Sequence, residues 1–206
     1  MVQKTEPRPR GRPRGYDPEA ALAAATAAFW RAGYAATSLD ALSEATGMNR
    51  PSLYGAFGDK HALYLAALRQ YADQACLAMD AALAPTRPLR EGLKRVFDLA
   101  LKLYFPVDET PRGCLLVGTA AAEAVHDEAI RTVLNESLRR FDKAFEQRFR
   151  SAVARGELPP DADPAVLSRL ASAVLHSLAL RARAGDRRSE LAATGAAGIA
   201  LICGAA

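Results

Sequence analysis

The residues best suited to chemistry form one short run, MNRPSLYGAFGDK, residues 48–60. It holds few large apolar side chains, yet it is punctuated like a structural element. Asn49 is a helix cap, and Pro51 is tolerated in a first helical turn. A short helix Arg50–Phe57 would bury Leu53 and Phe57 and turn its small and polar side chains outward. Such a face fits a major groove. Arg50 can pair with guanine through two hydrogen bonds, Ser52 can donate or accept, and Pro51 offers apolar surface to a thymine methyl. Tyr54 suits a phosphate oxygen, Lys60 adds a charge, and the free N–H groups at the helix starts near Thr37 and Lys60 can also hold phosphate.

A second group lies at the N-terminus. Residues 1–16 carry Lys4, Arg8, Arg10, Arg12 and Arg14 against Glu6, a net +4, and the whole chain also nets +4. The basic character is therefore confined to an arm on a neutral body, which points to a polyanionic partner. The stretch Pro9-Arg10-Gly11-Arg12-Pro13-Arg14 resembles the AT-hook core that lies along a narrow minor groove. A solvated basic tail is the plainer alternative.

A third candidate is Cys114, in Thr110-Pro-Arg-Gly-Cys-Leu-Leu-Val117. Placed at a helix start beside Arg112, its thiol is expected to have a lowered pKa and raised reactivity. The other cysteines, Cys76 and Cys203, are distant, and no Cys/His spacing suggests zinc. All three are expected as free thiols. Glu123-x-x-His126 is half of a carboxylate-bridged metal motif, but His61 and His176 lack the partner spacing, so no metal is expected. No phosphate loop, nucleophile elbow or triad is present, which argues against an enzyme and against any cofactor.

The elements that must position these groups are helices. Ala and Leu dominate the 206 residues, and β-branched residues are sparse. Asp17-Pro18 opens a helix with Leu22, Ala25, Phe29 and Trp30 on one face, ending near Gly33. Thr37 and Asp40 form a capping-box pattern for a two-turn helix ending at Gly47. Two short helices joined by a tight glycine turn, with a third before them, make a helix-turn-helix. Longer periodic runs follow: Leu63–Leu83, Leu89–Tyr104, about Gly113–His126, Ile130–Phe149, Val166–Arg183 and Ser189–Ile202. The expectation is an all-α fold of about nine helices. It divides into an arm (1–16), a DNA-binding domain (17–62) and a ligand-binding and dimerisation domain (63–206). The basic, Pro-rich start has no apolar core for a signal. The apolar run Leu191–Ala206 is short of the ~20 residues a membrane span needs. A cytoplasmic protein is expected.

The run T-S-L-D-A-L-S-E-A-T-G-M-N-R-P-S-L-Y-G-A-F-G-D-K-H-A-L, with Phe29, Gly33 and Tyr34 before it, resembles the DNA-binding signature of the tetracycline-repressor (TetR) family over roughly residues 17–65. The resemblance implies an all-helical homodimer reading a palindromic operator on double-stranded DNA, released by a small-molecule effector. It implies phosphate contacts from Thr37, Tyr54 and Lys60 and base-facing positions at Arg50, Pro51 and Ser52, with Ser38, Asn49 and the arm's Arg10, Arg12 and Arg14 also expected at the DNA. Gly55 and Ala56 depart from the bulkier residues common there, leaving more to Arg50, Ser52 and the arm. The segment RGCLLV resembles a subgroup with Gly-Cys-Leu at this point. Some of its members respond to electrophiles or oxidants through the cysteine, others to small unsaturated acids.

For a ligand pocket the candidates are Tyr71, Phe97, Leu101, Tyr104, Cys114, Phe141, Phe145 and His176, on inner faces of long helices. For the dimer interface they are Leu170, Val174 and Leu178 of the eighth helix and Leu191 and Ile199 of the ninth. Gly195, Ala196, Gly198 and Ala200 would permit close helix approach. A non-switching architectural DNA binder using the arm is the alternative; it needs no cavity.

Overall fold

The computed structural model describes residues 16–107 and 110–204. Among them are nine α-helices and no strand: α1 (Pro18–Ala32), α2 (Leu39–Thr46), α3 (Arg50–Phe57), α4 (Lys60–Ala82), α5 (Leu89–Tyr104), α6 (Ala121–Glu123), α7 (Glu128–Ala154), α8 (Pro164–Ala184) and α9 (Arg188–Cys203). A π-helical turn, Leu116–Ala120, runs directly into α6. The single helix expected over 113–126 is thus a π turn and one short α turn, entered from irregular backbone.

Short polar side chains set the starts. The side chains of Asp17, Ser38, Asn49, Asp59, Asp127 and Asp163 each accept a hydrogen bond from a first-turn backbone N–H, each cap being worth about 1 kcal/mol. The cap of α2 is Ser38, not Thr37. Thr37 is 1% exposed, and its hydroxyl donates back to the Gly33 carbonyl at 2.6 Å. Gly47 ends α2 in the left-handed region at φ 66°, as the tight turn into α3 requires.

The N-terminal head is α1, α2 and α3 gathered on the first turns of α4. Its core is Phe29, Leu42, Leu53 and Tyr64. Phe29 meets Tyr64 edge-on at 4.9 Å, and Tyr34 lies 4.8 Å from Tyr64. Full burial of a ring such as Phe29 is worth about 2–3 kcal/mol. Most of α4 lies outside this head and packs along α7, so one rigid element joins head and body.

In the body, α8 packs between α7 and α9, with α5 covering α9. The sequence of α8 is apolar nearly all round, and one stripe remains uncovered. Val166, Leu170, Ala173, Ser177, Leu180 and Ala184 recur at spacings of four and three, and all are exposed or half-buried. By length and hydropathy alone α8 is also long enough to cross a membrane. Its other faces form the protein's own core through Ala171, Leu175, Leu178 and Ala182.

Candidate nucleic-acid interface and inner cavity

The outer end of the head presents α3. Asn49, Arg50, Pro51, Tyr54 and Gly55 are exposed and Ser52 is half-buried, so the residues expected to meet DNA share one surface. Arg50 is already engaged. Its Nη2 and Nε donate to Oδ1 of Asp40 in the first turn of α2, at 2.6 and 3.1 Å. That hydrogen bond raises the pKa of the guanidinium further. Lys60 lies over the Tyr34 ring, its Nζ 4.5 Å from the centroid and 3.5 Å from the Ala35 carbonyl. Ser38 is exposed. Thr37 is the exception: its buried hydroxyl, turned to Gly33, cannot also reach a phosphate. Arg10, Arg12 and Arg14 lie outside the described residues.

Behind the head lies a cavity of about 430 Å³. Of the residues expected in a pocket, Tyr71, Tyr104, Cys114, Phe141 and His176 line it. Phe97, Leu101 and Phe145 do not. Phe97 and Leu101 turn toward α9, where a Cβ on Gly195 would stand 3.3 Å from the Phe97 ring. Phe145 is fully buried and stacks on Phe149. The sequence reading missed Trp30, Met79, Val96 and Leu175 of the apolar wall, and Gln74 and Lys102 at the exposed rim, among others.

Trp30 is the unexpected member, because it belongs to α1 of the head. Its indole Nε1 donates to the Gly113 carbonyl at 3.0 Å, its ring meets Tyr71 edge-on at 4.9 Å, and the Arg112 guanidinium sits 4.0 Å above it. Arg183 of α8 donates to the carbonyls of both Trp30 and Arg112. Two further contacts tie α4 to the body: a hydrogen bond between the Tyr64 and Thr119 hydroxyls at 2.7 Å, and the approach of His61 Nε2 to within 2.7 Å of the Asp127 carboxylate. Asp127 also caps α7, and the Ile130 amide and His61 together lower its pKa. Segment 113–120 is therefore clamped between head and α8. Only glycine fits at 113: φ is +63°, and a Cβ there would lie 2.3 Å from the Ala179 carbonyl oxygen.

Burial decides the protonation of the inner wall. It pushes the Cys114 thiol up, outweighing the Tyr71 hydroxyl that donates to Sγ at 3.3 Å and the amides of Val117 and Leu116 that pull the other way. The expected low-pKa thiol is therefore corrected: the local amides are present, but desolvation is larger. Desolvation likewise raises Tyr71 and Tyr104 well above the ordinary phenol value and lowers His176, against the nearby Asp142 carboxylate. Among the described residues there is no cluster of side chains suited to a metal ion.

The expected interface residues divide as well. Leu170 is exposed on the uncovered stripe of α8, but Val174 is half-buried against Gly198 of α9, and Leu178, Leu191 and Ile199 lie inside the protomer's own core. Gly195 and Gly198 serve packing within the chain, Gly195 against Phe97 and Gly198 against Val174, where a Cβ would come within 3.1 Å.

A capped three-helix head with its second short helix presented to solvent, on a helical body with an inner cavity, defines a helix-turn-helix regulator. The comparisons agree. Residues 21–67 match the model described as bacterial regulatory proteins, tetR family, and residues 91–197 match the tetracyclin repressor-like C-terminal domain. The chain belongs to the TetR family of DNA-binding transcriptional regulators. It is 31% identical over 182 residues to the HTH-type transcriptional repressor ComR of Escherichia coli (strain K12), covering 88% of this chain and 87% of that one. It is also 31% identical over 198 residues to the repressor BdcR of the same organism, covering 95% and 94%. Among solved structures, a cysteine mutant of the TetR family regulator CifR bound to double-strand operator DNA shares 34% identity at TM-score 0.78, over 91% of this chain and 98% of that one.

Proposed function

We propose that the chain is a homodimeric transcriptional repressor, released from a palindromic operator when a small molecule enters the cavity. One observation carries the reading: Trp30 belongs to the DNA-reading head and is also part of the cavity wall. A ligand that moves Trp30 moves α1, and α4 carries the same displacement through Tyr64. Two heads held one helical turn apart lose register on DNA if either tilts. To switch well, the ligand must favour the non-binding state by several kcal/mol, roughly 5.5 for a shift from 1:99 to 99:1.

Dimerisation would use the uncovered stripe of α8 with the exposed Ala193, Ala197 and Leu201 of α9. The four-three spacing is that of helices packed side by side, and two copies would form a four-helix bundle. The relatives' names support repression, and the operator complex of CifR supports double-stranded DNA as the partner. Arg50, Pro51 and Ser52 would read bases, with Ser38, Tyr54 and Lys60 toward phosphates.

A second reading rests on Cys114 being part of the cavity wall, so that an arriving electrophile or oxidant meets sulfur. Its buried, protonated state makes this the slower route.

The deciding experiment is fluorescence anisotropy of the full chain on its own upstream intergenic DNA against scrambled DNA at near-physiological salt. A preference of about 10³ or more is expected for a specific regulator. A preference near unity on all candidate DNA would favour the architectural alternative.

A further inference from the structure

The cavity's polar groups have a common property that its size and shape do not convey. Tyr71, Tyr104, Cys114 and His176 are the titratable groups of its inner wall, and desolvation holds each of them uncharged at neutral pH. The charged lining residues are Lys102, exposed on the rim, and Arg112, engaged over the Trp30 ring. No carboxylate lines the cavity among the described residues.

One polar atom of this wall is unfinished. His176 Nε2 is buried and meets no hydrogen-bond partner. Tyr71, by contrast, is committed to the Cys114 sulfur. A buried polar atom without a partner is rare and costly in a folded protein, and here it belongs to a cavity-lining residue whose ring must turn to present the atom to a ligand. Asp142 lies close enough to His176 to act on its charge, with its Oδ1 accepting from the Ser172 hydroxyl. That negative group disfavours an anion at His176. A cation would feel Asp142 from behind His176, but with no carboxylate in the lining it would shed its water against neutral dipoles and the aromatic rings of Trp30 and Phe141.

We propose that the cavity takes an uncharged molecule with an apolar body and a single hydroxyl or carbonyl group, which completes the hydrogen bonding of His176 Nε2. A neutral imidazole accepts from a hydroxyl or, in its other tautomer, donates to a carbonyl. The apolar body replaces water against Trp30, Met79, Val96, Phe141 and Leu175. A charged headgroup would have to shed its water against neutral inner groups, with the Arg112 guanidinium already seated on the Trp30 ring and Lys102 out on the rim. This rests on the effector reading of the cavity, and it names the class of effector.

The test uses the full chain without DNA and three matched probes: phenylpropanol, propylbenzene and hydrocinnamate, followed by calorimetry. Phenylpropanol is expected to bind tightest, by up to about tenfold over propylbenzene, the range one neutral hydrogen bond supplies. His176→Phe should reduce phenylpropanol to the affinity of propylbenzene and leave propylbenzene unchanged. His176→Gln, which keeps a hydrogen-bonding group, should restore most of the preference. Thermal melts of both variants check that the fold is intact. Tightest binding by hydrocinnamate, a hydroxyl preference that survives His176→Phe, or no binding by any of the three overturns the proposal. Because binding is read without DNA, it separates from the effector reading. Phenylpropanol bound through His176 but without effect on operator affinity would leave the ligand class standing and remove the switch.

Discussion

Trp30 and Gly113 are 83 residues apart in the chain, yet the indole N–H of one donates to the carbonyl of the other at 3.0 Å in a buried setting. The bond joins the first helix of the DNA-reading head to the segment that closes the cavity. Replacing Trp30 by Phe keeps a ring against Tyr71 but leaves the Gly113 carbonyl unsatisfied. A stability loss of about 1–3 kcal/mol is expected from urea melts. Operator affinity should persist while effector-induced release weakens; unchanged release would show that the signal bypasses Trp30.

Gly113→Ala tests the clamp itself. The substitution meets both a positive φ and the Ala179 carbonyl. Strain and overpacking together predict a loss of at least about 2 kcal/mol. A melting midpoint equal to the parent's would mean that α8 and the segment separate freely.

Arg50 and Asp40 form an exposed pair on the reading surface. Asp40→Ala removes a negative group from beside the expected phosphate path and frees Arg50 to roam. Affinity for scrambled DNA should rise a few-fold, and the ratio of operator to scrambled binding should fall. Anisotropy on both DNAs measures the ratio, and an unchanged ratio would remove Asp40 from any part in aiming Arg50.

The thiol prediction follows from burial. The pKa of Cys114 is raised in the folded state, so its thiolate is scarce at neutral pH and grows only as pH climbs past the ordinary value of 9.0. By linkage, the protonated thiol's contribution to stability is present below the unfolded pKa and is lost as pH rises through the folded one. In a Cys76→Ser, Cys203→Ser background, iodoacetamide should label Cys114 more slowly than free cysteine at pH 7, with a rate still rising above pH 9. Labelling faster than free cysteine at pH 7 would revive the activated sensor.

Residues 1–16 hold the chain's entire net positive charge. If they lie on phosphates, their deletion should shallow the slope of log affinity against log salt by up to about four. An unchanged slope would place DNA binding on the head alone.

Much of the head was legible because its boundaries rest on local chemistry. Asp17, Asn49 and Gly47 act within a few residues of themselves, and a sequence displays such neighbours directly. Thr37 misled because it sits beside Ser38, and either hydroxyl can cap a helix; the carbonyl of Gly33 decides between them. In the body, periodicity identified inner faces but not what each face meets. Phe97 and Tyr104 lie on the same buried stripe of α5, yet one packs on Gly195 of α9 and the other lines the cavity. Leu178, Leu191 and Ile199 were apolar for the same reason and serve the protomer's own core. Cys114 was placed beside helical amides, but a sequence does not show how much protein will cover a sulfur.

Trp30 is the chain's one tryptophan, and it sits where head, cavity wall and a guanidinium meet. The protein therefore carries a built-in optical gauge. Its ultraviolet emission arises from a single indole whose brightness and colour depend on the Arg112 cation above it and on any molecule that enters beside it. Occupancy of the cavity and movement of the head can be followed on the unlabelled wild-type chain, in real time, from one spectral band.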